Sequence, residues 1–399
     1  MKLPFLQKSA PYSNKFLSLN INSNDIRCLV IYYDNGSYKI IGSGKEMLER
    51  GSVRNGIIID KDDVARAIKS AVIFATEDLE DNISNAIIGV GGDLCLGLTT
   101  TVRFRRPNKG LLQKSEIDNL NSKISEAAYI QAQNEYLENT GNPDIELETI
   151  TSSNVYLKVD NQVVGELENR EGQMVEAAVF NAFSPSYHIK ALQDVTRKAG
   201  VNVIAIGSEM YAVSQWIKQY SKGQDDFILL AIENETTNAA VVFGSGIVST
   251  KNLNIGLAHF IEGISESMGI TSKEAERLLK SYIAGKLTES ESTVVHNCIL
   301  EILDIWLSGI ELLFGDFTNV KTFAPKIYLT GYGAEIKDII TTLKSEPWTK
   351  SIPFRSFPEI TKVNFSDFTK ISDATGKIGG PEWLSNISMS IIYEEIFGD

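Results

Sequence analysis

The sequence is poor in cysteine and histidine, with three residues of each in a chain of 399. Cys28, Cys95 and Cys298 share no short spacing, so neither a zinc cluster nor a disulfide framework is expected. This cysteine usage indicates a reducing, cytosolic setting. The histidines are equally scattered, which argues against a histidine-based metal site and against a Ser-His-Asp triad. We therefore predict no metal site.

Long hydrophobic runs and a surplus of basic residues are also missing. No segment approaches the roughly 18 uncharged apolar residues of a membrane span. Residues 299–317, the longest candidate, contain four acidic residues and have the apolar period of a core helix. The start of the chain has too short an apolar stretch for a cleavable signal peptide. Acidic residues outnumber basic ones by 51 to 38, giving a net charge of −13. Because this charge repels phosphate backbones, we expect no nucleic-acid binding.

What the sequence contains is a repeated pattern of strands. Three short β-rich runs at residues 16–21, 27–33 and 38–42 are joined by Asn-, Asp- and Gly-rich turns, and a second triplet lies within residues 227–253. Each triplet is followed by one or more helical segments and then by a further strand. This duplication predicts an α/β fold of two similar lobes with a cleft between them, a natural place for a nucleotide.

The pattern also changes character within the first lobe. Residues 85–165 combine alternating strands with a long, polar-faced helix at residues 114–137, which predicts an inserted α+β subdomain. We accordingly expect the first lobe at residues 1–84 and 166–205, with the insert at residues 85–165. The second lobe would span residues 206–399, with a small subdomain at about residues 250–325. The final helix, residues 383–397, is expected to pack back on the first lobe.

Five further segments occur in order along the chain. Residues 19–23 (Leu-Asn-Ile-Asn-Ser) end the first strand of one lobe, and residues 231–238 (Ala-Ile-Glu-Asn-Glu-Thr-Thr-Asn) end the first strand of the other. The others are residues 51–60, the helical residues 274–280 and the loop at residues 329–334 (Leu-Thr-Gly-Tyr-Gly-Ala). Taken in their order along the chain, the segments resemble those of the actin-like ATPase superfamily, in particular the bacterial cell-division family FtsA in the FtsA/PilM branch.

The resemblance implies a four-subdomain actin-like fold with the insert on the first lobe, and a nucleotide site between the lobes. Two loops would face the phosphates, and Glu276 and Lys280 would contact ribose and adenine beside a glycine loop. The nucleotide-binding residues implied in this way are Asn20, Asn22, Ser23, Thr236, Thr237, Glu276, Lys280, Gly331 and Gly333.

Departures from the family pattern fall on the phosphate side of this site. The two acidic residues that lie near the metal in the family are replaced by Asn20 and Ala231, and the glycines of the second phosphate loop by Glu233, Asn234 and Glu235. Glycine lets backbone amides approach a phosphate closely, and two glutamates add like charge beside it. We therefore expect no catalytic residue and no ATP hydrolysis, with Mg-ATP binding weak or lost.

The same residues also have simpler interpretations. Residues 20–25 are rich in turn formers and could form only a hairpin turn. Glu276 and Lys280 have the i, i+4 spacing of an ordinary surface ion pair, and Gly331 and Gly333 could serve only a strand–helix turn. The basic cluster at residues 103–106 is either a solvated strand end or a partner surface.

The resemblance implies a cytoskeletal adaptor of cell division that polymerises and links FtsZ filaments to the membrane. Its partners would be further copies of itself and FtsZ, and it would lie in the cytoplasm at the inner face of the cell membrane. The acidic end of the final helix disfavours direct contact with anionic lipid, so attachment would be indirect or through a terminal element such as residues 1–8. The alternatives are a PilM-like pilus-assembly protein that binds an inner-membrane partner, and an active ATPase of the same fold.

Overall fold

The computed structural model describes residues 13–220, 226–244, 246–345 and 348–398. Residues 1–8, considered above as a membrane anchor, lie outside the described residues. Within the described part of the chain, no helix combines the length and the apolar character that a bilayer crossing requires.

The chain alternates strands and helices along most of its length. The strands are β1 (Lys15–Ile21), β2 (Asp25–Asp34), β3 (Ser37–Met47), β4 (Val53–Arg54), β5 (Ile57–Ile58), β6 (Asn85–Val90), β7 (Leu96–Leu111), β8 (Leu147–Val159), β9 (Gln162–Val164), β10 (Glu171–Pro185), β11 (Asn202–Ser208), β12 (Phe227–Ile232), β13 (Thr237–Phe243), β14 (Gly246–Leu253), β15 (Lys326–Thr330), β16 (Glu359–Lys362) and β17 (Ile371–Asp373). The helices are α1 (Lys61–Thr76), α2 (Lys114–Thr140), α3 (Ser186–Lys198), α4 (Glu209–Tyr220), α5 (Leu257–Met268), α6 (Ser272–Ile283), α7 (Glu289–Gly315), α8 (Lys337–Leu343), α9 (Leu384–Ser388) and α10 (Ser390–Phe397).

The first lobe is built on a six-stranded sheet with the order β11-β6-β1-β2-β3-β17. Strands β1, β2 and β3 form an antiparallel meander, and β6 lies parallel to β1 on its other side. Asn35 and Gly36 both have positive φ, the conformation that a tight hairpin turn requires between β2 and β3. The predicted turn sequence therefore forms the predicted turn.

The second lobe repeats this arrangement within a nine-stranded sheet of order β16-β15-β12-β13-β14-β7-β10-β8-β9. Strands β12, β13 and β14 form an antiparallel meander, and β15 lies parallel to β12 as β6 does to β1. Helices α5, α6 and α7 pack beyond this sheet around the fully buried Trp306. The predicted α/β fold of two duplicated lobes is confirmed.

The inserted subdomain ends later in the chain than predicted. Strand β10 was expected in the first lobe, but it pairs with β7 from Glu171 to Phe183 and with β8 from Val175 to Pro185. The predicted boundary at residue 165 comes directly after the short strand β9, which forms a hairpin with β8. Residue 165 therefore marks the end of this hairpin and not the end of the subdomain. The insert therefore runs through β10.

The insert is also joined to the second lobe. Strand β7 meets β14 at Leu98 and Ser249, and the Gly97 amide donates a hydrogen bond of 2.8 Å to Thr250 Oγ1. Arg106, expected at a solvated strand end or partner surface, is buried and donates hydrogen bonds to the Gly110, Leu111 and Gly172 carbonyls and to Glu116. This arginine therefore holds the insert together.

The end of the chain packs against the first lobe. Tyr393 of α10 stacks on Phe16 of β1, with ring centroids 4.2 Å apart and an interplanar angle of 4°. The fully buried Asn386 of α9 donates hydrogen bonds of 3.1 Å to the carbonyls of both Ser18 and Arg27. Ser18 Oγ donates to the Asn386 carbonyl at 2.6 Å. These bonds join the last helices to β1 and β2.

We predict that Asn386→Ala lowers the free energy of unfolding by about 1–3 kcal/mol, because the buried Ser18 carbonyl and the partly buried Arg27 carbonyl lose a hydrogen-bond donor. Urea unfolding measures this loss. The matched control is Asn119→Ala, which removes an exposed asparagine from α2. If Asn386→Ala is as stable as the wild type, the two bonds make no net contribution to the free energy of unfolding.

Candidate functional site

Loops from both lobes meet around a cavity of about 90 Å³. The first lobe contributes Asn20 to Ser23 at the end of β1, Gly91 and Gly92 after β6, and the turn at Asn55 and Gly56. The second lobe contributes Glu233 to Thr236 after β12. The cavity thus lies at the carboxyl ends of β1, β6 and β12, where ligands bind in α/β sheets.

The loop after β1 closes on itself as a turn. The Asn22 amide donates to the Asp25 carbonyl at 2.9 Å, and the Asn22 side-chain amide donates to Asp25 Oδ1 at 2.8 Å. Burial by itself would raise the pKa of Asp25, but the adjacent cations of Arg27 and Lys45 outweigh burial and lower it. Asp25 is therefore charged, and the side-chain amide of Asn22 is hydrogen-bonded within the turn.

The loop after β12 is held by the amino terminus of α5. The Leu257 and Ala258 amides donate hydrogen bonds to the Glu233 and Asn234 carbonyls at 2.9 and 2.7 Å. A helix amino terminus leaves such amides without partners of its own, so the loop satisfies them. A Cβ on Gly256 would lie 2.5 Å from the Glu233 carbonyl oxygen, and only glycine allows this approach. The loop backbone is fixed, and its side chains line the cavity.

Glu209, at the start of α4, is a cavity residue that the sequence analysis missed. Asn20 Nδ2 donates to Glu209 Oε1 at 2.6 Å, and a Cβ on Gly89 would come within 2.7 Å of the Glu209 side chain. Burial, followed by repulsion from Glu233, raises the pKa of Glu209 to about 8. Burial also raises the pKa of Glu233. An acidic residue in the first turn of a helix is common, so the sequence carried no distinctive signal.

Two further polar residues line the cavity. Burial lowers the pKa of His188 to about 4, so this histidine is neutral at pH 7. Asn238 is buried, and its Oδ1 has no hydrogen-bond partner among the described residues. The cavity is thus lined by apolar side chains, by neutral polar groups and by three glutamates, Glu209, Glu233 and Glu235, and by no lysine or arginine of the described chain.

The structure brings together part of the predicted nucleotide site. Asn20, Asn22, Ser23 and Thr236 all line the cavity. Thr237 lies behind it, fully buried, where its hydroxyl donates to the Ile255 carbonyl at 2.7 Å and accepts from Trp306 Nε1 at 2.9 Å. Thr237 therefore joins β13 to the segment before α5 and to α7.

The predicted adenosine side does not line the cavity. Lys280 and Glu276 form an i, i+4 ion pair of 2.5 Å on the partly exposed face of α6. Gly331 has φ +79°, and a Cβ there would lie 2.3 Å from the Ile232 carbonyl oxygen. A Cβ on Gly333 would lie 2.3 Å from Ile232 Cγ2. Close packing against β12 requires glycine at both positions.

The residues present do not fit Mg-ATP. The cavity of about 90 Å³ is far smaller than the roughly 300–1,000 Å³ of typical small-molecule sites. Glu233 and Glu235 line the cavity, and a charged carboxylate at either position repels a triphosphate. Among the described residues there is no cluster of three or more His, Cys, Asp or Glu residues that could hold a metal ion by itself, although a magnesium ion bound to a nucleotide does not need such a cluster.

Comparison with known proteins shows the fold. No protein-family model matches the sequence, and no curated protein matches it. A solved PilM-PilN type IV pilus biogenesis complex is similar in structure, with 14% sequence identity and a TM-score of 0.64, over 94% of this chain and 98% of that chain. Ethanolamine utilization protein EutJ from Carboxydothermus hydrogenoformans is similar with 12% identity and a TM-score of 0.52, over 99% and 92% of the two chains.

The chain has an actin-like fold. This confirms the fold that the resemblance implied and is consistent with the FtsA/PilM branch. The more specific resemblance to FtsA stays a prediction.

We predict that Glu209 makes stability fall as pH rises. The pKa of Glu209 is about 8 in the folded protein and near 4.5 when unfolded. Between these pH values the folded state holds the extra proton, so raising the pH favours unfolding. Glu209→Gln removes this contribution, and its urea midpoint should fall less than that of the wild type between pH 5 and 8. Glu262→Gln, an exposed change on α5, is the control. Identical pH profiles for Glu209→Gln and the wild type would contradict the assignment.

Proposed function

We propose that this chain is an actin-like assembly protein that does not hydrolyse ATP and instead binds a segment of a protein partner, as a pilus-assembly protein of the PilM type. It would act in the cytoplasm, at the inner face of the membrane that holds its partner. The similar solved structure is a complex of PilM with PilN, which supports a protein partner. The small, acidic cavity supports a role without ATP turnover.

A groove beside β11 is the observation that carries the proposal. Strand β11 is the last strand of the six-stranded sheet, and no described strand pairs with its outer edge. Its residues Val203 to Ile206 are only half-buried, and Ile150, Ile189 and Ile396 help to line a groove of about 180 Å³ next to them. A free strand edge with apolar pockets suits an extended peptide, which can add to the sheet as a further strand.

The partner that this groove suits is an extended, apolar segment such as the tail of an inner-membrane pilus protein. Glu148, Thr149 and Gln193 at the groove offer polar contacts to the peptide backbone or to a polar side chain. The pairing of β11 with β6 is irregular beside the groove, because Val203 and Ala205 pair with the consecutive residues Ala86 and Ile87. The groove therefore offers apolar and polar side chains beside the outer edge of a strand.

We predict that Ile204→Glu weakens binding of this tail at least tenfold, because a buried carboxylate would replace an apolar contact. Fluorescence anisotropy with a labelled tail peptide from the same organism measures the affinity. Val163→Glu, which places the same charge on the exposed strand β9, is the control, and both variants should melt near the wild-type temperature. Undetectable binding to the wild type, or equal binding by Ile204→Glu, would contradict this proposal.

The second candidate is the cytoskeletal adaptor that polymerises and links FtsZ filaments to the membrane. Its support is the resemblance of residues 19–23 and 51–60 to FtsA, together with an inserted subdomain that has long strands of its own. Head-to-tail contacts through the insert would form filaments if they do not close into a ring. Co-sedimentation with FtsZ and sedimentation of the protein alone test this candidate. Pelleting with FtsZ, without binding to the pilus tail, would favour it over the first.

We predict no measurable ATP turnover, and Mg-ATP affinity weaker than micromolar. The residues at positions 20 and 231 cannot supply the acidic groups that position Mg²⁺ and water, and Glu233 and Glu235 repel the phosphates. Calorimetry should show tighter Mg-ATP binding by Glu233→Gly with Glu235→Gly than by the wild type. Turnover by the wild type, or micromolar binding, would instead favour an active ATPase.

A further inference from the structure

The loops that face each other across the cleft are bonded directly to one another. Asn234 Nδ2 of the second lobe donates to Ser23 Oγ of the first at 2.9 Å. Glu235 Oε2 of the second lobe accepts from the Asn55 backbone amide of the first at 2.6 Å. These contacts connect the two lobes directly at the cavity.

The first-lobe partner of Glu235 is a preformed turn. Asn55 and Gly56 both have positive φ, which makes the β4–β5 connection a tight hairpin. A Cβ on Gly56 would lie 2.9 Å from Leu94, so the turn sits directly on the segment that follows β6. The turn presents the Asn55 amide, and a carboxylate acceptor makes this hydrogen bond stronger than a neutral one.

The second-lobe side of the connection is equally fixed. Asn234 and Glu235 belong to the loop whose carbonyls are held by the Leu257 and Ala258 amides of α5. The Glu233 amide also donates to the Thr236 carbonyl at 2.8 Å within the loop. Because both supports are rigid, the two bonds join the lobes themselves and not two mobile loops.

A third contact lies further along the cleft. Asn252 Nδ2 of β14 donates to Asp93 Oδ1, which follows β6. The lobes are thus connected at the turn after β1, at the β4–β5 turn and at the segment after β6. The remaining cavity of about 90 Å³ has room for a few water molecules.

We propose that the chain closes its own interlobe cleft, with Asn234 and Glu235 as the bridging residues, so that the closed conformation requires no nucleotide. The substitutions that oppose a triphosphate therefore have a second effect, since the same side chains form the connection. This goes beyond the proposed function, because a self-closed protein would present its partner surface in one conformation whether or not ATP is present.

Spin labels on the two lobes test the proposal. Lys69 of α1 and Lys273 of α6 are exposed, and changing both to cysteine provides labelling sites while Cys28, Cys95 and Cys298 are buried. The wild-type background should give one narrow distance distribution. Asn234→Ala with Glu235→Ala should add a longer-distance component, whereas Glu235→Gln, which can still accept from Asn55, should stay close to the wild type. Glu262→Ala is the control for loss of an exposed carboxylate.

Millimolar Mg-ATP should leave the wild-type distribution unchanged. A wild-type distribution that is broad, or that narrows only with Mg-ATP, would overturn the proposal, as would a double variant as narrow as the wild type. Hydrogen exchange of the wild type over residues 53–58 gives a test that does not depend on the variants folding. Slow exchange of the Asn55 amide is expected, and exchange at the rate of an open turn would also overturn the proposal.

Discussion

The hydrogen bonds from the amino terminus of α5 to the Glu233 and Asn234 carbonyls determine the geometry of the cleft. They hold the loop after β12 in one conformation, so the side chains of residues 233–236 have fixed directions. Because the helix amides are used in this way, they are not free to bind an anion as helix amino termini commonly do. The cleft is consequently organised by side chains from one lobe meeting groups of the other.

The charges of the cleft follow from the same arrangement. Repulsion from Glu233 adds to burial in raising the pKa of Glu209, and the positive charge of Arg27 opposes both effects although no lysine or arginine of the described chain lines the cavity itself. The nearby Arg27 is held by Asp25 and by the Glu382 carbonyl. Proton binding by Glu209 is the available way to relieve this repulsion, and it requires no ligand. A cleft with this charge balance suits water or a neutral group better than an anion.

The fold was predictable from the sequence where the signals are local. The turns in each strand triplet, such as Asn35-Gly36, encode hairpins, and the triplets recur in both halves. The end of the insert was not predictable, because β10 is an apolar strand that could have joined either sheet. The cavity was only partly predictable. Asn22 and Thr236 lie at strand ends, where the sequence analysis placed cavity residues. Glu209 lies nearly two hundred residues after Asn20 in the sequence, and only the folded chain brings the two together. No local pattern reports such a contact.

Different interactions support the core of the actin-like fold and the polar side chains of the cleft. The lobes are stabilised by apolar strands and by contacts such as the stacking of Phe16 on Tyr393, which lie outside the cavity. Positions 20, 233 and 235 can therefore change without loss of the core. Loss of a bound ligand would nevertheless leave two lobes with less to hold them together. The bonds that Asn234 and Glu235 form across the cleft would offset that loss, because they connect the lobes without a ligand.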